Sequence, residues 1–183
     1  MNPKHVQFER LIIPHLDAAY NLARWLMRND ADAEEAVQEA YLRAYQFFAS
    51  FYGEDGRAWL LAIVRNSCYT LGGKKLGNGM SEEFDEQIHV AEEDVSGLST
   101  CHCRNPESIA LVRADQELVN RAIENLPVVF REVLVMRELE DMSYKEIAKI
   151  IDVPLGTVMS RLARGRLLLQ RALLASMNKG LPL

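Results

Sequence analysis

Apolar residues recur at helical spacing from about Val6 to Met27, with Leu11, Ile12, Leu16, Ala19, Leu22, Ala23 and Leu26 in one stripe. Pro14 has no amide hydrogen and is expected to kink or divide this segment. The run Asn29-Asp30-Ala31-Asp32 is a turn signal, and Asp32 with Glu35 three residues on predicts a helix N-cap. The helix from Ala33 to about Phe48 would bury Ala36, Val37, Ala40, Tyr41, Ala44 and Phe47. Glu35, Gln38, Glu39 and Gln46 fall largely on its exposed face. Residues 49–56 read as a loop carrying Phe51 and Tyr52. A helix from about Arg57 to Tyr69 follows, apolar at Trp59, Leu60, Ile63 and Val64, and Gly72-Gly73 is expected to end it.

Residues 74–106 have scattered apolar positions, several glycines and an acidic run, the pattern of a linker. Helical periodicity resumes near Pro106 through Ile109, Leu111, Val112, Leu118, Ala122 and Ile123, to about Asn125. Pro127 is placed to open the next helix, which reaches about Leu139 with Phe130, Val133, Leu134 and Met136 apolar. Ser143 and Glu146 then form a capping-box signature for a short helix that buries Ile147, Ala148 and Ile151. Asp152-Val153-Pro154 breaks that helix, and a second one follows. The prediction is an all-α fold: two small helical domains, residues 1–75 and 107–183, joined by an acidic linker at 76–106.

Charge sharpens this division. The net −5 is made of zero over residues 1–75, −6 over 76–106 and +1 over 107–183. The acidity therefore sits in the linker and does not argue against a nucleic-acid partner at either end. No apolar run approaches the roughly 20 residues needed to span a bilayer, and MNPKHVQFERL has no apolar signal-peptide core. A cytoplasmic location is expected, with Cys68, Cys101 and Cys103 reduced. Cys101-His102-Cys103 lacks the spacing and the second ligand pair of a zinc site, so neither metal nor cofactor is expected. His5, His15, His89 and His102 lie near no nucleophile or phosphate-loop motif, which disfavours an enzyme.

The chemistry concentrates in the last two helices. In the second, Val158, Leu162 and Leu169 are expected to face inward, while Thr157, Ser160, Arg161 and Arg164 share the opposite face. From Leu155 onward the basic residues are Arg161, Arg164, Arg166, Arg171 and Lys179, with no acid. A capped short helix, a tight turn and an outward face of hydroxyl and guanidinium groups suit a major groove. The arginines would hold phosphates and the small polar groups would approach bases. Earlier in the chain, Phe51 and Tyr52 are candidates for stacking on unpaired bases, whereas Trp59 reads as core.

The blocks DADAEEAVQEAYLRAYQFF (30–48), GRAWLLAIVRNSC (56–68) and LPVVFREVLVMRELEDMSYKEIAKIIDVPLGTVMSRLARGR (126–166), in this order around a short linker, resemble bacterial RNA polymerase sigma factors of the extracytoplasmic-function group. The resemblance implies that the N-terminal domain, sigma region 2, binds the clamp helices of the polymerase largest subunit through Asp32, Glu35, Gln38 and Glu39. It implies minus-10 capture and melting by the loop and helix at 49–69, with Phe51, Tyr52, Arg57, Arg65 and Asn66 as contacts. It further implies that the C-terminal domain, sigma region 4, reads the minus-35 element through Thr157, Met159, Ser160, Arg161, Arg164 and Arg166 and packs on the flap of the second-largest subunit. An anti-sigma factor is the implied inhibitory partner. Two positions depart from the family pattern. Met159 stands where a basic residue is common, and a thioether cannot donate to guanine. Tyr69-Thr70-Leu71-Gly72-Gly73-Lys74-Lys75 replaces an acidic and arginine-rich helix continuation. The rival readings are a dimeric operator-binding regulator and a sigma-like protein that only sequesters an anti-sigma factor.

Overall fold

The computed structural model describes residues 3–52, 55–77 and 106–179. Most of the expected linker, with Cys101, His102 and Cys103, lies outside the described residues. Every element among the described residues is helical. No helix there is long and apolar enough to cross a membrane.

Pro14 divides the first segment as expected. α1 (Pro3–Leu11) and α2 (Leu16–Met27) are separated by a single 3₁₀ turn, Ile13–His15. That turn resets the helical phase, so the apolar stripe does not run straight through. Ile12, Ala19, Leu22, Ala23 and Leu26 are buried, while Leu11 and Leu16 are 38% and 46% exposed. α3 (Asp30–Phe47) begins earlier than the periodicity indicates, because its N-cap is Asn29 and not Asp32. Asn29 is extended, and its Oδ1 accepts from the Ala31 and Asp32 amides at 2.9 and 3.5 Å. Asp30 and Asp32 thus lie in the first turn, where carboxylates favour the helix dipole.

Ala33, Ala36, Ala40 and Ala44 form a fully buried seam along α3. With no bulk beyond Cβ, this seam lets α2 and α4 (Gly56–Gly77) close onto α3, and the three helices pack mutually. At the end of α3 Phe47, expected inward, is 61% exposed, and Phe48 turns inward instead. The cause is the 3₁₀ turn Phe48–Ser50, which tightens the chain there. Phe48 meets Phe8 of α1 edge-on at 5.3 Å and Trp59 of α4 at 6.4 Å. α4 starts where its backbone approaches α1 so closely that a Cβ on Gly56 would fall 2.6 Å from the Leu11 carbonyl oxygen. The expected break at Gly72-Gly73 occurs at Gly73, whose φ of 46° is open to glycine at little cost.

The second half contains α5 (Pro106–Glu124), α6 (Val128–Leu134) with a π turn at Val135–Leu139, α7 (Tyr144–Ile151) and α8 (Leu155–Lys179). The core takes in Val133, Met136, Met142, Ile147, Val158 and Leu162. α6 and α7 both pack on α8.

The capping box forms as expected. The Ser143 amide donates to Glu146 Oε2 at 2.7 Å, and the Glu146 amide donates to Ser143 Oγ at 3.3 Å. The hydrogen bond to Ser143 holds the Glu146 carboxyl below its ordinary range. Its contribution is therefore complete above the ordinary carboxylate pKa and is lost as pH falls through the depressed value. Ser143→Ala is expected to cost about 1 kcal/mol of stability, read as a lower urea midpoint with an unchanged slope. A midpoint within error of the parent would show that the cap does not hold α7.

Candidate nucleic-acid interface

Local sequence positions α8. Asp152 ends α7 in the left-handed region at φ 55°, a conformation that a short polar side chain tolerates. The Pro154 carbonyl then accepts from the amides of Thr157 and Val158, opening α8. Val158 and Leu162 are buried, which locks the rotation of the helix and turns Ser160 and Met159 outward, the latter 40% exposed. Thr157 is half-buried, and its carbonyl accepts from Ser160 Oγ at 3.0 Å. Leu169, expected inward, packs on the core from a partly buried position.

The basic residues of α8 are not equivalent. Arg166 donates from Nε and Nη2 to Glu138 Oε1 at 3.0 and 2.8 Å. The hydrogen bond raises its pKa against the opposing effect of burial. Arg164 is half-buried. Arg161 is drawn inward, its side chain 25% exposed, with Nη1 3.5 Å from Oε1 of Glu132.

In the other half, Phe51 stacks on Phe48 with centroids 6.0 Å apart and lies 4.8 Å from Trp59. Phe51 and Trp59 are both partly buried against the core. Tyr52 is 94% exposed beside this cluster. Arg57, Arg65 and Asn66 follow on α4. Asn66 is exposed, while both arginines point to the C-terminal half. Arg57 Nη2 donates to Glu140 Oε2 at 2.6 Å and to its backbone oxygen at 2.7 Å. Arg65 donates to both oxygens of Glu132, at 2.7 and 3.3 Å.

A third surface lies between α3 and the end of α4. Glu35, Gln38, Glu39 and Leu42 line a shallow groove with Thr70 and Leu71. Leu42 and Leu71 are 61% and 43% exposed, and Glu39 is held by Arg43 at 2.7 Å one turn on. Asp32 is exposed at the start of the same helix. Acidic groups around exposed leucines suit a partner that is both basic and apolar.

Sequence reasoning missed Glu132, Glu140 and Arg131. Glu132 is fully buried, and also accepts from the Tyr69 hydroxyl at 3.1 Å. Arg131 is buried where the end of α2 meets the end of α5. It donates to the carbonyls of Glu124, Leu126 and Leu26 at 2.6, 3.3 and 3.4 Å. Burial, with Arg28 nearby, lowers its pKa to about 10. One signal was available: Arg131-Glu132 is a charged pair inside the otherwise apolar run from Val128 to Met136. Charges there must be buried, and buried charges need partners.

The sequence matches the family model for Sigma-70 region 2 over residues 11–71 and that for Sigma-70, region 4 over residues 116–169. The ECF RNA polymerase sigma-E factor of Escherichia coli K12 is 36% identical over 136 residues, which are 74% of this chain and 70% of that protein. The sigma-E factor of Haemophilus influenzae is 33% identical over 154 residues, 79% of this chain and 75% of that protein. Among solved structures, the sigma factor RpoE of Bartonella quintana, in complex with the anti-sigma factor NepR, has a TM-score of 0.65 at 25% identity, covering 91% of this chain and 96% of that one. With both region matches in order on the two helical halves, the chain belongs to the extracytoplasmic-function group of sigma-70-family RNA polymerase sigma factors.

Proposed function

We propose that the groove between α3 and α4 is the site for core RNA polymerase, that the 49–69 segment captures the minus-10 element and that α8 reads the minus-35 element. The observation that carries this reading is the orientation of α8. Its inward face is locked by Val158 and Leu162, and Ser160 and Met159 face solvent near its N-terminal end. A recognition helix contacts base edges from that end. Met159 would contact apolar groups such as the thymine methyl, leaving hydrogen bonding to bases to the polar side chains around it.

The division of labour follows the division of the chain. Residues 1–75 would hold polymerase and the minus-10 strand, 76–106 would connect, and 107–183 would hold the minus-35 duplex and the flap of the second-largest polymerase subunit. The clamp helices of the largest subunit would occupy the groove. Their basic groups would meet Glu35 and Glu39, with Asp32 nearby, while apolar groups cover Leu42 and Leu71. An anti-sigma factor is the controlling partner we infer, supported by the Bartonella quintana relative solved with one.

Run-off transcription with purified core polymerase on a promoter library tests the whole reading. Start sites that require this protein and share paired upstream elements are expected. Tight binding to operators by the chain alone, with no core binding, would identify a free-standing regulator instead. Within the same assay, Tyr52→Ala is expected to lower open-complex formation about ten-fold at unchanged core affinity, since one base–aromatic stack contributes roughly 1–3 kcal/mol. Unchanged opening would remove Tyr52 from the melting surface.

A further inference from the structure

We propose that Leu155 and Met159 form an apolar flank on α8 that selects thymine by its C5-methyl group, so that the minus-35 element is read partly through methyls and not through hydrogen bonds alone. The inference rests on the assignment of α8 to the minus-35 duplex and names what that helix selects.

The rotation of α8 sets two unlike flanks. With 3.6 residues per turn, the buried positions Val158, Leu162 and Gly165 fix the inward side of the helix. Leu155 and Met159, four residues apart, are neighbours on one flank and are 38% and 40% exposed. Thr157, Arg161 and Arg164 recur at helical spacing on the other. The ridge between the flanks carries Gly156 and Ser160, both exposed, and a Cβ on Gly156 would meet nothing within 4 Å. Side chains this small leave both flanks standing proud of the ridge. A single exposed apolar residue is ordinary on a protein surface. Two neighbours, one turn apart at the reading end of a recognition helix, present a continuous apolar strip to the groove.

Donor chemistry points the same way. Neither a leucine nor a thioether can donate a hydrogen bond. Arg166 lies two turns beyond Met159 on the same side, and its Nε and Nη2 are both directed to Glu138 Oε1. This flank therefore offers hydrocarbon to the groove. The major-groove feature that matches hydrocarbon is the thymine methyl, which no other base carries. A guanine on this side would leave its acceptors facing an apolar surface, at the cost of an unpaired polar group. One turn of helix rises about 5.4 Å and successive bases are about 3.4 Å apart. Leu155 and Met159 thus address methyls one or two base pairs apart.

The test begins with the unaltered full-length protein. Holoenzyme is bound to a promoter selected from the run-off library, with each thymine of its minus-35 element, on either strand, replaced in turn by deoxyuridine, which lacks only the methyl. Affinity is expected to fall about four-fold for each contacted methyl, the effect of one buried methyl-sized group, at one or two positions no more than two base pairs apart. Deoxyuridine in the spacer is the control and is expected to change nothing. Met159→Ala and Leu155→Ala are each expected to abolish the dependence at one of these positions, and Met159→Leu, which conserves apolar volume, to retain it. Deoxyuridine tolerated at every minus-35 position would overturn the proposal, as would a selected element with no thymine in either strand. Methyl dependence that persists in both alanine variants would overturn the assignment to this flank. Initiation that survives scrambling of the whole minus-35 element would refute the placement of α8 and the proposal with it, a result distinct from the loss of methyl reading alone.

Discussion

Leu162→Ala is expected to destabilise the C-terminal half by about 2–5 kcal/mol. Leu162 is 1% exposed and sits on the inward face of α8, which packs on both α6 and α7. Deleting three buried carbons removes their transfer energy and leaves a cavity that rigid neighbouring helices only partly fill. Small domains have stabilities of roughly 5–15 kcal/mol, so a loss of this size unfolds a large fraction of the C-terminal half near its melting point. Chemical denaturation should show an early transition for that half, and minus-35-dependent initiation should fall with it. Leu162→Met, which conserves volume, should cost under about 1.5 kcal/mol. Equal loss from both substitutions would mean that shape at this position, not volume, holds α8 in place.

Glu35→Lys combined with Glu39→Lys is expected to weaken core polymerase binding about 100-fold. The two acids border the groove beside exposed Leu42 and Leu71. Reversing them puts like charges against a basic partner, and close charge pairs at interfaces couple by roughly 1.5–7 kcal/mol. Fold stability should hardly change. Among the described residues the only ion pair lost is Glu39–Arg43, with both side chains about two-fifths exposed, and such surface pairs contribute about 0.3–0.5 kcal/mol. Competition for core against a labelled reference sigma factor provides the measurement. Undiminished affinity would move the polymerase contact away from this groove.

Glu132 ties α4 to the C-terminal helices through one buried carboxylate. Burial alone would lower the pKa of Arg65, yet its hydrogen bond to Glu132 and the charge of that carboxylate raise it. Burial and the same carboxylate raise the Tyr69 phenol. Arg65 and Tyr69 therefore keep their protons across the physiological range.

Cys68 shows the same burial without the partners. Its thiol is buried and pushed up to about 12, which leaves almost no thiolate for redox chemistry at neutral pH. The neutral side chain packs as a small apolar group in the α4 core.

Several features were legible in the sequence because their causes are local. Pro14 lacks a donor, Gly73 tolerates positive φ, and Ser143 and Glu146 bond each other's amides three residues apart. Each is decided by groups within one helical turn. The helix-turn-helix and its inward residues Val158 and Leu162 were legible because periodicity reports one buried face. Errors arose where local signals compete. Asn29 and Asp32 both suit an N-cap, and the extended backbone at Asn29 decides between them. A one-residue phase shift at the 3₁₀ turn exchanges Phe47 for Phe48.

The sequence by itself determined an all-helical chain in two halves, the main buried stripes of its helices and the basic composition of its last helix, since each follows from side-chain type and spacing along one element; the outward face expected for Arg161 did not form, because its side chain turns in to Glu132. Only the tertiary structure decided what those arginines face. Arg65 and Glu132 are 67 positions apart and Arg57 and Glu140 are 83 apart. Pairing over such separations leaves no periodic trace. It exists only once α4 and α2 are packed against the C-terminal helices, where Glu132 gathers Arg65, Tyr69 and Arg161 and Glu140 gathers Arg57 and Asn21.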